Sequence, residues 1–200
     1  MRFEFDSLKT AQAARYLLGL NDGTMSYMVL IKLLYLADRR SLIETGAPIT
    51  GDRMVAMPHG PVLSQTLDQI NMGTPVEPDE PTPWYEYVTV PKNYNVSAKK
   101  KANTDQLSRY ELDILEETYT KFGKMSKWAL RDFTHTLPEW KDPHGSSLPI
   151  EPDTILRAAG KSDAEIEEII EEAEEVFFIR NLAKITHIER RRSLPQPQYR

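Results

Sequence analysis

The chain has 200 residues, 40% of them hydrophobic and 28% charged, with 25 Lys and Arg against 30 Asp and Glu for a net charge of −5. That apolar fraction excludes a wholly disordered chain, and the negative charge lacks the basic footprint of a dedicated nucleic-acid binder. The absence of cysteine excludes disulfides, thiol catalysis and cysteine-ligated zinc or iron–sulfur sites.

The opening MRFEFDSLKT has no basic segment followed by an apolar one, so no signal peptide is expected. Asp6 or Ser7 caps a first helix whose apolar side carries Leu8, Ala11, Ala14, Leu17 and Leu18, and Asn21-Asp22-Gly23 stops it. Thr24 or Ser26 starts a second helix that runs to Thr45, with Gly46 as its C-terminal stop. Its first half has almost no polar face, which predicts a helix buried in the middle of a bundle. This apolar stretch, near residues 27–37, is interrupted by Lys32 and is about half the roughly 20 residues a membrane span needs. A soluble, cytoplasmic protein without a membrane partner is the expectation.

A stretch dense in Gly and Pro follows, with one short strand expected from Arg53 to Met57. Pro61 suits the first turn of a third helix over 62–72. Prolines make 73–83 a stiff extended loop. The aromatic and β-branched run from Trp84 to Val90 predicts a strand, forming a small hairpin with a second near 96–102. Ser108 with Glu111 is a capping box that opens a helix to Phe122, and Ser126 caps another to His135. A short helix near 153–159 is stopped by Gly160. Ser162 or Asp163 then caps a long helix to Arg192, before a tail, 193–200, that is expected to be disordered. The fold class is therefore mainly α, a compact helical domain with a small antiparallel β element and a long C-terminal helix. Residues 1–150 form the main domain and 151–192 a helical extension.

The search for chemistry yields little. His59, His135, His144 and His187 are far apart, and none has the i, i+4 partner of a helical metal site. No phosphate-binding glycine loop and no nucleophile-elbow motif occurs. No catalytic residue, cofactor or metal is expected. The basic clusters Lys99–Lys101 and Arg190–Arg192 read as solvated charge, and no nucleic-acid partner is expected. The last helix is more informative. It carries eight acidic residues between Asp163 and Glu175, and then four consecutive large apolar residues, Val176-Phe177-Phe178-Ile179. One face of that run can dock on the core while Phe178 points elsewhere, as at a partner or dimer contact; the alternative is a wholly intramolecular role. Glu171, Glu172, Glu175, Phe177 and Phe178 are the candidate partner-binding residues.

The run KLLYLAD (Lys32 to Asp38), then PITGDRMVAMPHGPVL (Pro48 to Leu63), then KFGKMSKWALRDFTHTLPEW (Lys121 to Trp140) resembles the Panacea, or SocA-like, antitoxin domain over about residues 8–145. The resemblance implies a mostly helical domain, the antitoxin half of bacterial and phage or prophage toxin–antitoxin pairs. Members neutralise unrelated toxins, generally by direct protein–protein contact, and one hands its toxin to the ClpXP protease. The implied function is an antitoxin that binds a cognate protein toxin. The alternatives are an adaptor to a host protease and a small enzyme using His59 and His135. Leu33, Tyr35, Asp38, Gly51, Arg53, His59, Gly60, Pro61, Trp128, His135 and Trp140 are the family-motif residues, read mostly as scaffold. In that reading Asp38 accepts hydrogen bonds from Arg53 or from loop N–H groups after Gly51, and Trp128, His135 and Trp140 brace the helices over 108–122 and 126–135.

Overall fold

A computed structural model describes residues 1–71 and 83–192, with side chains through 182 except Arg180. The expected proline loop, 73–83, lies outside the described residues except for Pro83, and so do the expected disordered tail, 193–200, and the side chains of His187 and Arg190–Arg192.

Asp6 opens α1 (Ser7–Leu20) by accepting the Lys9 N–H at 2.9 Å. A short strand, β1 (Thr24–Ser26), leads directly into α2 (Tyr27–Thr45), which Gly46 closes in the left-handed conformation at φ 78°. Twelve of the 19 residues of α2 are buried, from Val29 to Leu42. This helix is the axis of the molecule, packed by α1, by α5 (Arg109–Phe122) and by α6 (Lys127–His135). Ser108 and Glu111 close the capping box on α5, and Ser126 caps α6 by accepting the Ala129 N–H. The fold is mainly α with two small antiparallel sheets.

The sheets depart from the sequence reading. The expected strand at 53–57 is β2 (Met54–Met57), but its partner is β3 (Gly60–Leu63), so Pro61 lies in a strand and not in a first helical turn. Pro61 fits there because β3 is an edge strand of the β3-β2-β5 sheet, where a missing N–H leaves no ladder bond unmade. Helix α3 therefore starts later, at Ser64, and runs to Asn71. The expected strand over 84–90 is instead a single helical turn, α4 (Trp84–Tyr87). Pro83 presets helical backbone at φ −52°, and the turn sinks Trp84 and Tyr87 together into the core. The hairpin expected there forms only in part, through antiparallel bridges between Val88 and Ala98 and between Lys92 and Asn95, while β4 (Asn95–Ser97) pairs along its length with β1. Strand β5 (Leu148–Pro149), unforeseen in the sequence, completes the second sheet on β2.

Helix α7 (Pro152–Ala158) puts Ile155 and Leu156, both fully buried, into the same core as α2. Helix α8 (Asp163–Arg192) follows. Ile166 is 2% exposed, and Ile169 lies against Gly46, so α8 docks by its first turns on the C-terminal end of α2. No described helix is long and apolar enough to cross a membrane.

Candidate partner-binding site

The motif residues on α2 face inward. Leu33 and Tyr35 are fully buried, and Asp38 is buried without any exposed surface. Asp38 accepts the Thr50 N–H at 3.0 Å and the Thr50 hydroxyl. Burial pushes its carboxyl up to about 7, against the lowering effect of the Thr50 bonds. The expected partners were Arg53 or N–H groups beyond Gly51. The structure corrects this, because Asp52 takes those N–H groups, from Arg53 at 2.7 Å, Gln65 at 2.9 Å and Thr66 at 2.7 Å. The Arg53 side chain is exposed. Asp52 thus caps α3 while Asp38 anchors the loop before it. Gly51, at φ 69°, lets the N-terminal segment pass; a Cβ there would lie 2.1 Å from the Glu4 carbonyl oxygen.

A second cluster ties α2 to β3 and α6. Lys32 is 1% exposed and donates one long hydrogen bond, 3.4 Å, to the Pro61 carbonyl. Burial, and then the Arg131 charge, pull its ammonium down to about 8. A Cβ on Gly60 would lie 2.6 Å from Lys32 Nζ, 2.6 Å from Thr134 Oγ1 and 3.3 Å from His135 Cδ2. The His135 ring stacks on Trp140 at 4.0 Å between centroids, and Trp140 Nε1 donates to the Met57 carbonyl at 3.2 Å. Burial first, then Lys32, holds His135 below the ordinary imidazole range. His59 is exposed at the turn between β2 and β3. Further along, Glu139 accepts the Tyr35 hydroxyl at 2.8 Å and Arg39 through both its oxygens, at 2.6 and 3.2 Å.

Trp128 does not brace the two helices. It is 48% exposed, with Lys127 Nζ 4.9 Å and Arg131 Cζ 5.0 Å from its ring centroid. The brace is Phe122 on Phe133, at 4.8 Å. The helical period explains the difference: Leu130 and Thr134 face the core, and Trp128 is on the opposite side of that pair.

On α8 the four apolar residues divide. Phe177 is half-buried and lines a cleft of about 450 Å³ with Glu172, Ala173, Val176 and residues of the N-terminal segment, the α2–β2 loop and the α5 start. Phe178 and Ile179 point outward, 62% and 58% exposed. Glu171, Glu172 and Glu175 are exposed. Among the described residues, no group of three or more His, Asp and Glu converges as a metal site.

Residues 30–141 match the family described as antitoxin SocA-like, Panacea domain. The chain belongs to that family. No curated protein and no solved structure matches it. The Panacea match runs from within the first turn of α2 through α6, takes in both buried clusters, and ends just past Trp140. Helix α8 lies beyond it. Sequence reasoning missed Lys32, Thr50, Asp52, Arg39 and Glu139 as structural partners. Lys32 carried a signal, as the one charge inside the most apolar part of the Panacea motif. Glu139 carried none, since an isolated glutamate between proline and tryptophan looks exposed.

Proposed function

We propose that this Panacea-domain chain is an antitoxin that neutralises a protein toxin by direct contact, and that α8 carries the contact. The supporting observation is the exposure of Phe178 and Ile179 on a helix that is already anchored by Ile166. Docking explains the first turns and leaves those two side chains in water. Large exposed apolar side chains next to each other mark interfaces, and aromatic anchors carry much of an interface's energy. The glutamates at 171, 172 and 175 surround this anchor with negative charge, which speeds encounter with a basic surface. Toxins that act on nucleic acids or nucleotides present such a surface. The antitoxin role of the family argues for a binding protein and not a catalyst.

The test is co-expression with the protein encoded by the adjoining reading frame. Phe178→Ala should lower affinity for that toxin by roughly tenfold or more, the loss of about 1.4 kcal/mol or more expected of an interface anchor. Its circular dichroism should stay that of wild type. Neutralisation and affinity that both survive Phe178→Ala and Glu171→Lys/Glu172→Lys/Glu175→Lys, in well-folded protein, would show that α8 is structural only. Toxin half-life in protease-deficient cells separates direct inhibition from hand-over to a host protease.

A further inference from the structure

We propose that the outward face of α6 is a second docking surface, and that its occupant is an acidic segment of the toxin. This rests on the antitoxin reading above. Trp128 and Tyr94 are 48% and 71% exposed. Lys127 Nζ stands between their rings, 4.9 Å from the first centroid and 5.9 Å from the second, and Arg131 lies over Trp128 from the next turn of the helix. Lys127, held over exposed rings, keeps its charge in one place, and among the described residues no carboxylate pairs with it. Asp132 offsets part of the charge through Arg131.

Beneath this face lies Lys32. It is buried, and among the described residues no carboxylate pairs with it. Its single hydrogen bond is to a carbonyl. A buried ammonium without a counter-ion projects its field through low-dielectric protein with little screening. The α6 face therefore presents the unpaired Lys127 and the Asp132-paired Arg131, with a buried ammonium behind them, together with two rings that offer apolar area.

Trp, Tyr and Arg are the residue types that anchor protein interfaces. Rings with cations also suit single-stranded nucleic acid. The number of cations decides between them. Lys127 and Arg131 fall short of the several phosphate contacts a nucleic-acid binder neutralises. They match one short acidic stretch of a folded partner.

The experiment uses the full chain and a fluorescein-labelled dodecapeptide of alternating Glu and Ala, with labelled dT12 in parallel, followed by anisotropy at low salt. The peptide should bind, and added salt should weaken it. Lys127→Glu and Arg131→Glu should each lower its affinity roughly tenfold, Trp128→Ala should lower it also, and Glu171→Lys should leave it unchanged. No peptide binding, binding indifferent to the α6 substitutions, or tighter binding of dT12 through the same residues overturns the proposal. Co-expression with the adjoining-frame toxin separates the two readings. A wild-type chain that neutralises nothing removes the antitoxin reading, and the toxin as occupant with it. If wild type neutralises and Arg131→Glu does so equally well, this surface alone is overturned.

Discussion

Asp38 is the residue where burial and pH meet. Its carboxyl sits at about 7 in the fold, against an ordinary value of 3.8, because burial removes water from the carboxylate. A folded-state value raised above the unfolded one gives stability that is complete at low pH and is lost as pH rises through about 7. The thermal midpoint should therefore fall between pH 5 and pH 8. In Asp38→Asn, which still accepts the Thr50 N–H but cannot ionise, that fall should be smaller; an equal fall in both proteins would place the titration elsewhere. Gly60→Ala should cost about 1–3 kcal/mol in chemical denaturation, since the backbone is left-handed at φ 93° and the new methyl meets Lys32 and Thr134. Such partners were hardly legible beforehand. The motif pointed to Asp38 and Gly60, yet the N–H that reaches Asp38 belongs to Thr50, in a loop that packs against the distant N-terminal segment through Asp6 and Glu4.

At the scale of elements, the long helices could be read from caps and apolar period. Asp6, Gly46, Ser108 and Ser126 all end or begin helices in the structure as their chemistry dictates. The short elements could be read only in part: β2 and α7 lie where they were expected, and β3, α4 and β5 do not. The aromatic run at 84–90 has the composition of a strand, but burial of Trp84 and Tyr87 on one side rewards a helical turn. Strand β4 finds its partner some 70 residues earlier, a pairing that no local signal specifies. Leu33→Ala in the central helix should cost about 2–5 kcal/mol, because Leu33 has no exposed surface and its loss leaves a cavity. Helix α8 should behave as two halves. Ile166→Ala should lower the thermal midpoint measurably, Ile166 being 2% exposed, while Phe178→Ala should leave it within error. A midpoint that falls equally in both would mean that Phe178 is packed.

For the molecule as a whole, α2 is a spacer as well as a core. Its 19 residues span about 28 Å at 1.5 Å per residue. Helix α8 docks beside Gly46 at one end, and Tyr27, the first residue of α2, meets Tyr94 at the other, 6.3 Å between rings. The two proposed surfaces thus lie toward opposite ends of that rod and differ in sign. Sites so far apart contribute additively. The affinity losses of Phe178→Ala and Arg131→Glu, measured by calorimetry against the toxin, should sum in the double variant to within about 0.5 kcal/mol. The tryptophans give this arrangement an optical consequence. Trp84 has no exposed surface, Trp140 is half-buried against His135, and Trp128 is open. Acrylamide should therefore quench Trp128 first, and the red edge of the emission belongs to that one side chain. A partner seated on α6 would shift this edge to the blue, while one seated only on α8 would leave it in place, so the unlabelled protein reports which end of the rod is covered.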